Sequence, residues 1–195
     1  MADPSVTLFT RLPPPVPAAE DRALFVPALD RFPPPLRALM GLLPVCDING
    51  ALIAALAHAP APVPAHVVAG LFAADPFLDT GELTAVLRRS GLAAVANYPT
   101  LQLLDGATGQ GLAAVGYHAR SEFVRLQELA AAGFEALAYV TSPQAAEEAL
   151  ACGLSAIVLH PGPAGGAPPR AAATRIRAIA DRAGARILRH GESAV

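Results

Sequence analysis

Short apolar runs alternate with amphipathic helical segments along most of this chain, and this alternation limits the possible folds more than any other feature. Strands are predicted over residues 66–73, 92–98, 134–141, 154–160 and 186–190. Helices are predicted between them, over residues 81–90, 119–132, 143–152 and 170–183. Nearly continuous apolar strands separated by helices are typical of parallel strands that are buried on both faces. The pattern therefore predicts consecutive βα units.

The first third of the chain adds two predicted strands, over residues 6–10 and 23–29, and proline runs at 13–17 and 33–35. Proline is excluded from helix interiors, so any helix between the first two strands is short or missing. A complete eightfold βα barrel typically needs about 250 residues and rarely fewer than 200, whereas this chain has 195.

We therefore expect a single α/β domain over residues 1–195, a TIM-type (β/α) barrel trimmed to about seven parallel strands. Residues 1–35 form its irregular, proline-rich beginning. A missing strand would expose a sheet edge, so a homo-oligomer is also expected.

Composition excludes several classes of function. The net charge is −2 and no basic tract is present, so binding to nucleic acid is not expected. No apolar run reaches the roughly 18 residues of a membrane span. The start of the chain lacks the features of a secretion signal, and Cys46 and Cys152 form no paired motif, so a cytoplasmic location is expected. The basic residues are all arginine, which excludes Schiff-base chemistry and a lysine-bound pyridoxal cofactor.

Polar side chains at the ends of the predicted strands are the candidates for a working site, because loops after the strand C-termini form the active sites of βα barrels. In chain order they are Asp30, Arg31, Asp75, Asn97, Tyr98, Thr141, His160 and His190. Each ends an apolar run, where a few polar groups can orient a small-molecule substrate in an apolar pocket.

Asp75 is the candidate general base, Asn97 the group that orients a substrate oxygen, and His160 or His190 the acid. Structural alternatives stay open at this point. Asp75 could cap the helix that follows it, and each histidine could bond to backbone at its strand end. One carboxylate with two histidines resembles a metal triad, but no close spacing supports one, so no metal or cofactor is expected.

Further candidates lie in the loops. Asp47 and Asn49 precede an apolar helix over residues 51–57, where capping explains one of them and substrate contact the other. Tyr117 and His118 lie in a long loop after the fourth strand, which we interpret as a lid. The loop over residues 162–169 has the glycines of a phosphate cradle but is rich in proline, which favours a flexible loop. His58 and His66 flank the proline-rich linker over residues 60–64 and are expected to face solvent.

Several short motifs occur in the order found in the phosphoenolpyruvate hydrolase-like family of TIM-barrel proteins, which the chain resembles from about residue 31 to residue 160. They are Leu42-Leu43-Pro44 with Asp47-x-Asn49, Ala74-Asp75-Pro76-Phe77, Asn97-Tyr98-Pro99-Thr100 with Leu104-Asp105-Gly106, Gly116-Tyr117, and the strand that ends in His160. The resemblance implies a TIM barrel, often oligomeric, with a link to phosphonopyruvate or phosphoenolpyruvate chemistry.

Two departures from the sequence pattern of the family are relevant to the kind of substrate that this chain would bind. Residues 10–14 and 32–35 replace a glycine-rich loop and a Gly/Arg/Ser-rich turn, which removes anion-binding backbone at both places. The leading hypothesis is acid–base chemistry on an enolisable carbonyl or oxo-acid compound in an apolar pocket. The alternatives are a cyclase of bacterial specialised metabolism, which the mean hydropathy of +0.43 favours, and a non-catalytic barrel that binds a ligand or stabilises a partner.

Overall fold

The computed structural model describes residues 3–14, 18, 20–59, 62–162 and 170–191. Within them, seven parallel strands form a closed barrel in chain order. The strands are β1 (Ser5–Phe9), β2 (Arg22–Phe25), β3 (Val67–Leu71), β4 (Ala94–Asn97), β5 (Glu135–Val140), β6 (Ala156–Leu159) and β7 (Arg186–Gly191). The prediction of a trimmed TIM-type barrel is confirmed.

Helices surround the barrel. They are α1 (Arg37–Met40), α2 (Ile48–Ala57), α3 (Thr80–Ser90), α4 (Gly106–Ala114), α5 (Ala119–Ala131), α6 (Pro143–Ala151) and α7 (Arg170–Ala183), with short 3-10 turns at Pro27–Arg31, Pro34–Leu36 and Leu101–Leu103. Between β1 and β2 the described residues contain no helix, in agreement with the proline run there. None of the helices in the described part of the chain combines the length and apolar character needed to cross a bilayer.

The barrel closes without an eighth strand, because β7 pairs directly with β1, Val6 lying opposite His190. The expectation of an exposed sheet edge is therefore wrong for the described residues. Side chains alternate between the two faces of each strand, and one set fills the barrel interior. Its members include Val6, Leu8, Leu24, Val26, Val68, Ala96, Leu137, Val158 and Leu188. The other set packs under the helices and forms the larger core.

Two segments differ from the sequence prediction for identifiable reasons. The second strand ends at Phe25 rather than at residue 29, because Pro27 lacks an N–H to continue the ladder and begins a 3-10 turn. The long loop after β4 contains a 3-10 turn and the helix α4, so it is more regular than the predicted lid. Most of the glycine-rich loop after β6, residues 163–169, lies outside the described residues.

Gly70 is the one position in β3 where the barrel interior leaves no room for a side chain. A Cβ there would collide with the side chain of Val26 and press against the carbonyl oxygen of Tyr98. The absent side chain lets the chain after β4 approach β3 closely. That approach places Tyr98 over the interior, where the candidate site begins.

Candidate functional site

Four aromatic rings meet inside the barrel near the carboxyl ends of its strands. They belong to Tyr98 after β4, Tyr139 in β5, His160 after β6 and His190 in β7. Their ring centroids are separated by 5.2 to 5.9 Å in all six pairings. Tyr98, Tyr139 and His160 are at most 3% exposed. We call these four residues the interior tetrad; it places polar ring atoms on an otherwise hydrocarbon interior.

His160 carries an unsatisfied hydrogen-bond donor. Its Nδ1 accepts a hydrogen bond from the backbone N–H of Gly162 at 2.9 Å, so in the neutral ring the proton lies on Nε2. Nε2 is buried and has no hydrogen-bond partner among the described residues. Burial, with a smaller effect of His190, lowers the pKa of His160 to about 3. The ring is therefore neutral at pH 7, and its Nε2–H is free to donate a hydrogen bond to a ligand oxygen.

The remaining members of the tetrad are also uncharged at neutral pH. Burial lowers the pKa of His190 to about 4. Its Nδ1 lies 3.2 Å from the hydroxyl oxygen of Tyr139. Burial raises the pKa of Tyr139 well above its usual value, with a further contribution from Tyr98, and burial likewise raises that of Tyr98. The tetrad thus offers hydrogen bonds rather than charges.

A pocket of about 300 Å³ lies at the barrel mouth, over the end of β3. Asp47, Asn49, Asp75 and Tyr117 contribute its polar side chains, so the structure brings together four of the residues singled out in the sequence. The other lining residues are mainly apolar and include Leu42, Leu43, Ile48, Phe72, Leu101 and Leu112. Ile48 and Phe72 also pack in the interior core that contains Tyr98 and Tyr139. The floor of this mouth pocket is therefore continuous with the packing around the tetrad.

Asp75 is held in the mouth pocket by two donors. Asn49 Nδ2 donates to Asp75 Oδ2 at 3.0 Å, and the backbone N–H of Phe77 donates to Oδ1 at 2.9 Å. An ionised carboxylate accepts about four hydrogen bonds, so acceptor capacity is left on both oxygens. Asp75 does not cap α3: that role belongs to Asp79, which accepts from the backbone N–H groups of residues 81 and 82.

Asn49 positions this carboxylate through the backbone of β3. Its Nδ2 donates to the carbonyl oxygen of Phe72 at 3.1 Å, and its Oδ1 accepts from the N–H of Phe72 at 3.1 Å. The side chain thus continues the hydrogen-bond ladder just beyond the strand. Asp47 caps α2 by accepting from the N–H of Gly50, which confirms that capping explains one of the two residues.

Asn97 faces the helix layer, not the interior. Its Nδ2 donates to Glu122 Oε2 at 2.8 Å, and its Oδ1 accepts from the backbone N–H of Tyr139 at 2.7 Å. Asn97 and Glu122 are both 0% exposed. The structure therefore does not bring the Asn97 amide into either the tetrad or the mouth pocket, because it is engaged in joining β4 to β5 and α5.

Glu122 is a fully buried carboxylate at the first turn of α5. Its other donors are Thr100 Oγ1 and the N–H of Leu101, each at 2.7 Å. Burial raises its pKa to about 7, although the hydrogen bonds oppose this effect. Glu122 thereby anchors the segment that follows Tyr98 and so supports the tetrad from outside the barrel.

The remaining candidates lie farther out. Thr141 and His118 line a separate open pocket beside α5 and α6. The backbone N–H of Thr141 donates to Gln102 Oε1 at 3.0 Å, and His118 caps α5. Asp30 is exposed and pairs with Arg11 at 2.8 Å. The exposed Arg31 lies 5.9 Å from the ring centroid of Phe32. The structure places none of these four in the tetrad or the mouth pocket.

Sequence reasoning missed Tyr139 and Glu122. Tyr139 is two residues from Leu137, which also faces the interior, so the alternation along β5 carried the signal. Glu122 stands four residues before Leu126 and seven before Leu129, both buried, so the helical period places it on the apolar face of α5. A carboxylate at such a position must be hydrogen-bonded, which is the signal that could have identified it.

Comparison with known proteins finds similar sequences in a bacterium and in a plant. Over 117 residues the chain is 34% identical to the uncharacterized protein y4oT of Sinorhizobium fredii, covering 60% of this chain and 59% of that relative. It is 32% identical over 127 residues to the ToMV resistance protein Tm-1(GCR237) and to the ToMV susceptible protein tm-1(GCR26), both of Solanum lycopersicum. Each of these alignments covers 64% of this chain and 17% of the tomato protein. The chain thus spans less than two thirds of the length of these relatives.

The match to the phosphoenolpyruvate hydrolase-like family extends over residues 36–185, a range that includes the mouth pocket and three members of the tetrad. With a closed parallel barrel and a family match over most of its length, this chain belongs to the phosphoenolpyruvate hydrolase-like family.

Proposed function

We propose that this chain is an enzyme that abstracts a proton next to the carbonyl group of a small oxo acid. Asp75 takes the proton, and the Nε2–H of His160 donates a hydrogen bond to the carbonyl oxygen. The observation that carries the proposal is the buried, unpartnered Nε2 of His160 in the barrel interior. Buried polar groups in proteins are nearly always hydrogen-bonded, so a donor left open in the barrel interior supports a ligand acceptor there.

The reaction step balances without a cofactor. The C–H bond next to the carbonyl breaks, its proton passes to the Asp75 carboxylate, and its electron pair forms the enolate double bond. Negative charge then develops on the carbonyl oxygen, where the His160 N–H stabilises it. A neutral imidazole suits this role, because it polarises the oxygen without giving up its proton. His160 is thus proposed as a hydrogen-bond donor rather than as the acid expected from the sequence.

The mouth pocket supports a small substrate over a long apolar one. Its volume of about 300 Å³ lies at the lower end of the range of about 300–1,000 Å³ for ligand pockets. Asn49 and Asp75 supply polar groups to the pocket, and most of its other lining residues are apolar. These features favour oxo-acid chemistry over a cyclase that folds an extended chain.

The experiment is proton exchange followed by NMR in deuterated water. Pyruvate, 2-oxobutyrate and oxaloacetate are each incubated with the protein, and the loss of the signal from the protons next to the carbonyl is measured. Asp75→Asn should reduce the exchange rate by about a hundredfold or more, as expected when a general base is lost. His160→Phe should reduce it by a similar factor, as for loss of an oxyanion donor.

The matched control is Asp79→Asn, which alters a carboxylate that caps α3 in the same loop. It should exchange as fast as the wild type. The proposal would be contradicted if the protein caused proton exchange in none of the three oxo acids. It would also be contradicted if Asp75→Asn and His160→Phe left the exchange rate unchanged.

A further inference from the structure

The amino end of the barrel holds a second group of polar side chains, away from the mouth. Each lies two residues before a residue of the interior core, so the alternation of the strands directs it into the barrel. The four residues, with the interior residue that follows each, are Arg22 before Leu24, His66 before Val68, Glu135 before Leu137 and Arg186 before Leu188. We call them the basal cluster.

Ion pairs within the basal cluster leave an excess of positive charge. Arg22 Nη2 lies 3.5 Å from Glu135 Oε2, and Arg186 Nη2 contacts Glu135 Oε1. The first pair joins β2 to β5 across the barrel, in agreement with the inward direction of both side chains. Because two guanidinium groups share one carboxylate, one positive charge is left over.

Two nitrogen atoms of the basal cluster are buried and have no hydrogen-bond partner among the described residues: Arg22 Nε and His66 Nε2. The two residues are neighbours across the β2–β3 ladder, since the backbone N–H of Ala23 donates to the carbonyl oxygen of His66 at 3.0 Å. His66 therefore does not simply face solvent, as the sequence suggested. Two unsatisfied nitrogens on adjacent strands, beside an excess positive charge, leave the hydrogen-bond network of the basal cluster incomplete.

We propose that the basal cluster binds a small oxyanion, a carboxylate or a phosphate. One oxygen of the anion accepts from Arg22 Nε–H, and the same or a second oxygen accepts from His66 Nε2–H. Charge-assisted hydrogen bonds of this kind are favoured by guanidinium groups. The anion would neutralise the positive charge that the Glu135 carboxylate does not balance.

Two of the four residues of the basal cluster border a pocket at the amino end of the barrel. Glu135 and Arg186 also line a pocket of about 220 Å³ between the starts of β5, β6 and β7. Its position at the amino end separates it from the mouth, where βα-barrel active sites lie. The basal cluster is therefore a binding site distinct from the proposed reaction, and either proposal can fail without the other.

The experiment follows the His66 ring by two-dimensional carbon–proton NMR while phosphate replaces chloride at constant ionic strength. Acetate replaces chloride in a parallel titration, which separates a phosphate site from a carboxylate site. His66→Gln identifies the His66 signal. We expect a saturable shift of this signal in at least one titration and no saturable shift for the exposed His118.

Variants and thermal unfolding complete the test. Arg22→Gln should weaken anion binding by about tenfold, as the loss of a charged hydrogen bond predicts, whereas Arg175→Gln, at an exposed position on α7, should bind as the wild type does. The anion should also raise the melting temperature of the wild type, which requires no variant to fold. If neither anion produces a saturable His66 shift in the wild type, the basal cluster binds no oxyanion and the proposal is overturned.

Discussion

The buried carboxylate of Glu122 gives the sharpest prediction, because two opposing effects act on it and their balance can be measured. Burial favours its neutral form, whereas hydrogen bonds from Asn97, Thr100 and Leu101 favour the charged form. Burial prevails and raises the pKa from 4.5 to about 7. The folded protein therefore holds this proton more tightly than the unfolded chain does.

The sign of the pH dependence follows from this difference. The stabilising contribution of protonated Glu122 is fully present below about pH 4.5 and is lost as the pH rises through about 7. The full pKa difference corresponds to about 3 kcal/mol. Between pH 5.5 and pH 8.0 the loss amounts to about 2 kcal/mol of the free energy of unfolding.

The perturbation that isolates this effect is Glu122→Gln, which keeps the shape of the side chain and removes the titration. Urea unfolding is measured for both proteins at pH 5.5 and pH 8.0. The free energy of unfolding of the wild type minus that of the variant should fall by about 2 kcal/mol from pH 5.5 to pH 8.0. Taking this difference cancels the groups that the two proteins share, among them His160 and His190, whose lowered pKa values act in the opposite direction.

The control is Glu147→Gln, at an exposed position on α6. Its difference from the wild type should not depend on pH over this range. A Glu122→Gln difference that is constant, or that rises with pH, would refute the reasoning, since it would mean that the hydrogen bonds outweigh burial and keep Glu122 ionised.

Three further predictions concern the same region. His160 should remain neutral, with its proton on Nε2, from pH 8 down to about pH 5; nitrogen NMR of the ring checks this, and a titration midpoint near 6.5 would contradict it. Tyr139→Phe removes the hydroxyl beside His190 and should lower the free energy of unfolding by about 1 kcal/mol in urea; no loss would show that this contact contributes nothing. Thr100→Val removes one donor to Glu122 and should move the pH-dependent loss of stability upward by about one pH unit; an unchanged midpoint would argue against it.

The fold was predictable because its signal is periodic. Apolar strands and amphipathic helices repeat at the intervals that a βα barrel requires, and β3 to β7 each overlap a predicted strand. What the sequence could not show is that seven strands close by themselves, since closure depends on the tilt and register that pair β7 with β1.

The candidate site was predictable only in part, because strand ends were identified without the direction of each side chain. His160, His190 and Tyr98 were expected at the barrel mouth, and their rings do meet one another, but inside the barrel. Asn97 was expected beside them, yet it precedes Tyr98 by one position and therefore faces the opposite side of the sheet. Neighbouring positions along the chain thus differ in role: Tyr98 faces the interior, whereas Asn97 joins the strand to a helix.

The measurement that tests the proposed function most directly is a crystal structure of the protein with a bound oxo acid. The account predicts that the carbonyl oxygen lies within hydrogen-bond distance of His160 Nε2 and that the neighbouring carbon faces the Asp75 carboxylate. The account would be contradicted if the oxo acid bound elsewhere and His160 Nε2 donated its hydrogen bond only to a protein group or to water.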